Sequence, residues 1–233
     1  MQWVNQFREV DRRKIVELAK KSLWSKEGKE VFSYLKNERG FSEAVIDEFD
    51  FGFCPSRINH QLRGRIITPI YDVHNTLIAL STRSFYKGRS FWHETFAKKM
   101  HFYGLNFAKN NILKFKKVII VEGEFDVASL HTAGFKVSVG LCGSSFTLSH
   151  AVLLARYCSD VYFVFDGDKA GDNARKGAME IYNKYNLEAH GIRYIPINLP
   201  DEIDPNDYIK DYGASELKKL LVVAKEEYDL VKN

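Results

Sequence analysis

Val118-Ile-Ile-Val-Glu-Gly-Glu-Phe-Asp126 and, further along the chain, Val161-Tyr-Phe-Val-Phe-Asp-Gly-Asp-Lys169 are two versions of one pattern. Each is a short β-branched or aromatic run that ends in carboxylates beside a glycine. An apolar run of this length, closed off by polar residues, reads as a strand buried on both faces of a parallel sheet. Glu122, Asp126, Asp166 and Asp168 then stand at or just beyond the carboxyl ends of two strands, the edge where open α/β sheets carry their ligands. Gly123 and Gly167 are expected to turn the backbone there at positive φ, a conformation glycine adopts without steric cost. Four carboxylates gathered at one edge repel one another unless a divalent cation neutralises them. An all-oxygen donor set suits a hard ion, magnesium or manganese.

Working outward, a helix is expected from Asp126 to Thr132, a strand over Lys136–Val139, and a helix from Thr147 to Tyr157 after the small-residue loop Gly140-Leu-Cys-Gly-Ser-Ser145. Past Asp168 follow a long helix to Tyr185, a strand over Ala189–Ile195, an acidic loop over Leu199–Asp207 and a last helix over 215–230. Either carboxylate-tipped run alone is an ordinary strand-to-loop junction. The two in this order, with a helix-strand-helix unit between them, are far more specific. The pair resembles the Toprim domain of DnaG-type primases, topoisomerases and some nucleases, whose signature is a glutamate after one strand and Asp-x-Asp after a later one. Here those are Glu122 and Asp166-Gly-Asp168.

The chain of 233 residues, 45% hydrophobic with 12 Tyr and 17 Phe, can build one large core or two small ones. It holds no apolar run near the roughly 20 residues of a membrane span, and Met1-Gln-Trp-Val-Asn lacks the layout of a signal peptide. Cys54, Cys142 and Cys158 stand too far apart for a disulfide frame or a zinc ribbon, so a reducing, cytoplasmic setting is expected. The net charge of +4 hides an asymmetry: residues 51–117 carry +10, whereas residues 118–233 carry −6. A basic block feeding an acidic one suits a protein that grips a polyanion with one part and does metal-assisted chemistry with the other.

Ahead of the paired runs, helical spacing of apolar residues marks 6–22 and 27–39, with Gly40 as a stop, and Ser42 caps a third short helix. Arg63-Gly-Arg-Ile-Ile-Thr-Pro-Ile-Tyr-Asp72 and Leu77-Ile-Ala-Leu-Ser-Thr-Arg83 read as a β-hairpin. Arg63, Arg65 and Arg83 flank its apolar runs, where guanidinium groups can clamp phosphates; exposed strand-end charges are the equally weighted alternative. Residues 84–117 read as irregular, with aromatics interleaved among Lys87, Arg89, Lys98 and Lys99 in a pattern that suits a single-strand or nucleotide grip by stacking plus charge; for Phe91, Trp92, Phe102 and Tyr103 a core role is weighed above base stacking. His131 and His150 are read as packing or surface residues.

In order, Arg63-Gly-Arg-Ile-Ile-Thr-Pro-Ile70, Leu77-Ile-Ala-Leu-Ser-Thr-Arg83, Glu94-Thr95, Phe102-Tyr-Gly-Leu-Asn-Phe-Ala108 and Val121-Glu-Gly-Glu-Phe-Asp126 resemble the RNA-polymerase core of DnaG-type bacterial and phage primases. The resemblance implies an α/β fold: a Toprim-type parallel sheet flanked by helices over 117–212, preceded by a mixed α+β basic subdomain over 1–116 and followed by a helix over 213–233. It implies a DNA-directed RNA polymerase of the primase type, a nucleotidyltransferase that makes short RNA primers on single-stranded DNA. A Toprim nuclease and a non-catalytic nucleic-acid-binding module are the alternatives. It also implies two or more Mg²⁺ or Mn²⁺ ions, with Asp204 joining Glu122, Asp126, Asp166 and Asp168, and ribonucleoside triphosphates as substrates. Arg63, Arg65, Arg83, Lys87 and Lys98 or Lys99 then line the template and nucleotide path. The family's Lys-Tyr-Leu-Asn-Ser-Pro is replaced by Lys87-Gly-Arg-Ser-Phe-Trp-His93, and its zinc-binding and helicase-binding domains have no counterpart here. The expectation is a catalytic core or a compact phage-like form that meets a replicative helicase through a region or subunit absent here.

Overall fold

The computed structural model describes residues 7–86, 90–143 and 145–232, which form two compact units, Met1–Phe96 and Ala97–Asn233. The division falls ahead of the 116/117 boundary that the resemblance implies, because the segment before β5 folds with the second unit.

In the first unit, α1 (Glu9–Leu23), α2 (Lys29–Ser33) and α3 (Glu43–Glu48) precede an antiparallel sheet of β1 (Gly52–Cys54), β2 (Arg65–Tyr71), β3 (Leu77–Ser84) and β4 (Phe91–His93), in that spatial order. The apolar face of α1 lays Ile15, Val16 and Ala19 in one cluster with Ile67, Leu77 and Leu80 of the sheet and with Leu62 from the turn ahead of β2. The expected helix over 27–39 is three pieces: a 3₁₀ turn at Lys26–Gly28, then α2, then a π-helical turn at Tyr34–Glu38 that buries Tyr34 and Leu35. Ser42 caps α3 as expected, accepting from the Val45 N–H at 3.3 Å. The hairpin forms between β2 and β3, and Asp72 closes its turn by accepting from the His74 and Thr76 N–H groups at 2.8 and 2.9 Å. Gly52–Cys54 adds a strand to β2.

A buried ion pair ties α1 to this sheet. The Arg12 guanidinium meets Glu94 at 2.9 Å, and both side chains are almost wholly removed from water. Glu94 also accepts from the Leu80 N–H at 2.7 Å, and Arg12 donates to the Leu77 carbonyl at 3.2 Å. Every formal charge and most lone pairs are therefore met, which is the condition under which such a pair can stay folded inside a protein.

The second unit begins with a 3₁₀ turn at Lys98–Met100 and α4 (Leu105–Phe115), in a region expected to be irregular. Leu105, Ala108 and Ile112 are buried at helical spacing, and Gly104 opens the helix at φ 79°. A four-stranded parallel sheet follows, ordered β6 (Ser138–Gly140), β5 (Lys117–Val121), β7 (Asp160–Val164), β8 (Arg193–Ile197). α5 (Glu124–Thr132), α6 (Leu148–Leu154), α7 (Lys169–Lys184), α8 (Pro205–Tyr212) and α9 (Ala214–Lys232) flank it. β5 and β7 are buried over four of their five residues, as strands covered on both faces must be. They lie side by side, with Val118 opposite Val161 and Ile120 opposite Phe163. β8 starts later than Ala189, and α8 stands between the acidic loop and α9. Among the described residues no helix is long and apolar enough to cross a membrane.

Removing one member of the Arg12–Glu94 pair leaves the other charged and buried. Glu94→Ala is expected to cost about 3–5 kcal/mol of unfolding free energy in denaturant titration, whereas Arg12→Met with Glu94→Leu should cost less than either single change.

Candidate active site

Because β5 and β7 are parallel neighbours, their carboxyl ends bring the two carboxylate-bearing stretches together. Glu122 follows β5 directly and Asp166 stands just past β7. Their link is a hydrogen bond: the Asp166 backbone N–H donates to the Glu122 carboxylate. Three more acids arrive on the first turns of three helices. Asp126 lies in the first turn of α5 and accepts from the Gly123 N–H at 3.1 Å. Asp168 caps α7, accepting from the Gly171 N–H at 2.8 Å, and Asp204 caps α8, accepting from the Asp207 N–H at 2.7 Å. Helix N-termini carry partial positive charge and unpaired N–H groups, so each is a favourable seat for a carboxylate.

The glycines serve close approach, in contrast to the expected positive φ. Gly123 sits at φ −114°, and Gly167 is likewise outside the positive-φ set. At Gly167 a Cβ would lie 1.9 Å from the Pro200 carbonyl oxygen. The bare backbone there exchanges two hydrogen bonds with the acidic loop, Gly167 N–H to Ile203 O at 2.9 Å and Glu202 N–H to Gly167 O at 2.7 Å. This clamp carries Asp204 to the Asp166-Gly-Asp168 turn, and no side chain other than hydrogen would allow it.

The electrostatics record the crowding. Burial, and then the charges of Asp126, Glu122, Asp204 and Asp168, push Asp166 up to about 8. Glu122 is raised too, chiefly by burial, with Asp168 adding to it and the Asp166 N–H and Arg175 opposing it. One oxygen of each, Oε1 of Glu122 and Oδ1 of Asp166, is buried with no hydrogen-bond partner among the described residues. A buried carboxylate oxygen left without a donor is costly unless something else meets it. Among the described residues no three His, Cys, Asp or Glu side chains form a ready-made chelate. The acids share one field without yet converging on one point. The two orphaned oxygens and the all-oxygen donor set fit a hard divalent cation.

Arg175, not singled out in the sequence, stands beneath the Asp166 turn. Its guanidinium donates to the Phe165 and Asp166 carbonyls at 3.3 and 3.4 Å and pairs with Asp172. It falls one helical turn beyond Gly171 on α7, so its spacing from Asp168 was the available signal. Asn206 is buried and donates to Ser129 Oγ at 2.7 Å, joining α8 to α5, and Asp207 lies 3.5 Å from Lys210. His150 and His131 are buried against backbone carbonyls. His150 Nε2 lies 3.1 Å from the carbonyls of Lys98 and His101, and the Thr147 hydroxyl donates to Lys99 O at 2.8 Å. The turn that carries Lys98 and Lys99 is thereby pinned to the start of α6.

The basic residues of the first unit take three different settings. Arg63 is exposed on a groove of about 470 Å³. Arg65 is buried, spending its guanidinium on Thr82 Oγ1 at 2.6 Å and on the carbonyls of Thr82 and Ser90 at 3.3 and 2.8 Å; burial lowers its pKa. Arg83 lies over the Phe91 ring at 4.9 Å. Lys87, with Arg89, falls outside the described residues.

A native Asp166 held near 8 binds its proton more tightly than the unfolded chain does, at an ordinary value of 3.8. The stability it contributes is thus full below about pH 4 and is lost as pH rises toward 8. Without divalent ions, Asp166→Asn should therefore raise the thermal midpoint clearly at pH 8 and little at pH 4, as scanning calorimetry would record. Magnesium should raise the midpoint of the wild-type protein and do so far less in the variant.

Comparison with known proteins bears on the whole chain. Residues 119–209 match the family model described as Toprim-like. A DNA primase of Aquifex aeolicus is 28% identical over 228 residues, covering 83% of this chain and 45% of that protein. A DNA primase of Chlamydia trachomatis is 31% identical over 228 residues, covering 84% of this chain and 37% of that protein. The chain thus spans less than half the length of these curated relatives. Among solved structures, a DnaG primase catalytic domain bound to ssDNA superposes with a TM-score of 0.81 at 23% identity, over 91% of this chain and 79% of that one. Residues 119–209 are Toprim-like, in a chain similar in sequence to these DNA primases and in fold to the catalytic domain of a DnaG primase.

Proposed function

We propose that this chain is the catalytic core of a primase, joining ribonucleotides on a single-stranded DNA template by metal-dependent nucleotidyl transfer. The observation that carries the reading is that Glu122 shares one buried field with Asp166 and Asp168, and that Glu122 and Asp166 each keep a buried oxygen with no hydrogen-bond partner among the described residues. Glu122, Asp126, Asp166, Asp168 and Asp204 would hold two or more Mg²⁺ ions. Bound there, magnesium supplies charge neutralisation of the triphosphate, a lower pKa for the attacking 3′-hydroxyl and stabilisation of the pyrophosphate leaving group.

The protein's own part is positioning. Phosphoryl transfer needs no protein nucleophile when geometry and charge are supplied. The Gly167 clamp and the Arg175 guanidinium fix the backbone on which Asp166 and Asp168 stand. Coupled carboxylates titrate as a set, so no separate general-base role is assigned to Glu122. Arg63, Arg83, Lys98 and Lys99 would hold template and nucleotide phosphates, with Lys87 a further candidate. Arg65 would support that surface from within the sheet, since its guanidinium is already engaged there. A replicative helicase would be met through a region other than these residues. The relatives' own names support the reading, as does the ssDNA bound to the structurally similar domain.

Glu122→Ala and Asp166→Ala should each lower oligoribonucleotide synthesis on a single-stranded template by at least about a thousandfold while leaving the circular dichroism spectrum intact. Synthesis retained by either variant refutes the assignment, and template cut into fragments without new oligoribonucleotides would mark a Toprim nuclease instead. Arg63→Ala should weaken template binding and reduce the slope of log affinity against log salt by about 0.7, the value for one phosphate contact on a single strand. An unchanged slope removes Arg63 from the template path.

A further inference from the structure

Tyr86, next to the end of β3, is 62% exposed, yet its ring is held on several sides. Phe53 and Phe85 meet it edge-on, with centroids 6.3 and 4.9 Å away and planes 73° apart in both cases. Gly64, at φ +70°, lies beneath it so closely that a Cβ there would stand 3.0 Å from Tyr86 Cδ2. An exposed aromatic is ordinarily mobile, and its ordering opposes any contact it makes. Here three neighbours have already fixed the ring, and the large exposed fraction leaves surface open to a partner.

That ring borders the groove of about 470 Å³ lined also by Phe53, Pro55, Ser56, Arg63 and Ser84. Arg63 is exposed and has no hydrogen-bond or ion-pair partner among the described residues. Among the described residues lining the groove the one acid, Glu27, is paired with the Arg57 guanidinium at 2.5 Å, so its charge is already countered. A flat π-face, an unengaged guanidinium and a neutralised acid within one groove are complementary to an unpaired nucleotide, whose base stacks while its phosphate meets the cation.

We infer that Tyr86 is a stacking platform for one unpaired base of the single strand, in a subsite where Arg63 takes the adjoining phosphate. The inference rests on the polymerase reading and deepens it, by separating an aromatic contribution from the charge-driven one. Stacking is indifferent to salt and needs a base, whereas a phosphate contact is salt-dependent and needs none.

The test compares wild-type protein with Tyr86→Ala, Tyr86→Phe and Tyr86→Trp by fluorescence anisotropy. The probes are an end-labelled oligothymidylate and an oligonucleotide of equal length and charge made of abasic residues. Tyr86→Ala should weaken binding to oligothymidylate about tenfold, the scale of one stacked base. It should leave the salt slope unchanged and bind the abasic strand as the wild type does, while Phe and Trp restore affinity. Equal affinity of wild type and Tyr86→Ala for oligothymidylate overturns the subsite, as does a loss of the same size on the abasic strand or a change in slope. A wild-type protein that binds neither strand and makes no primer refutes the polymerase reading, and the subsite falls with it.

Discussion

Mutual repulsion among five carboxylates at the end of one sheet is the constraint around which the second unit is built. Left to themselves, Glu122, Asp126, Asp166, Asp168 and Asp204 would separate into solvent, since like charges brought out of water destabilise each other steeply. The fold prevents this with backbone rather than with countercharge. Parallel pairing of β5 with β7 fixes Glu122 beside Asp166, and the Asp166 N–H donates to the Glu122 carboxylate. Three helix N-termini receive Asp126, Asp168 and Asp204. The exchange of hydrogen bonds between Gly167 and the loop before Asp204 closes the arrangement. Repulsion is thus stored in the folded protein and made available to whatever cation relieves it, at the cost of a raised Asp166 pKa and two orphaned oxygens.

The first unit solves a different problem with charge. Its buried Arg12–Glu94 pair contributes a fixed attachment of α1 to the sheet rather than much net stability, because the desolvation of both ions offsets most of their attraction. Arg65 is similar: a cation whose sequence position suggests a phosphate contact is consumed in holding β2 to β3 and the Ser90 carbonyl. What separates it from Arg63, two residues earlier, is that β2 starts at Arg65 itself, so Arg63 stands in the exposed turn ahead of the strand. Basic composition therefore overstates the charge on offer to a polyanion, and burial decides which residues present it.

Much of this molecule is legible in its residues. Apolar runs tipped with Glu-Gly-Glu and Asp-Gly-Asp announce parallel strands ending in acids, and such a pattern has few other physical uses. Helical spacing at Leu105, Ala108 and Ile112 was equally readable, but the density of aromatics and lysines around it masked α4. Boundaries at β8 and over 27–39 slipped because local preference is weak where tertiary burial, as of Tyr34 and Leu35, chooses the pitch of the helix.

By itself the sequence determined the strand-helix alternation, the identity of the acids and the segregation of charge, all of which depend on neighbours along the chain. Only the tertiary structure decided that Gly167 is needed for the approach of Pro200, that Arg175 supports the Asp166 turn, and that Glu94 is spent on Arg12. Each of these is a contact between residues distant in sequence or an excluded volume at one backbone atom. Such facts have no period and no composition, and they exist only once the chain has closed on itself.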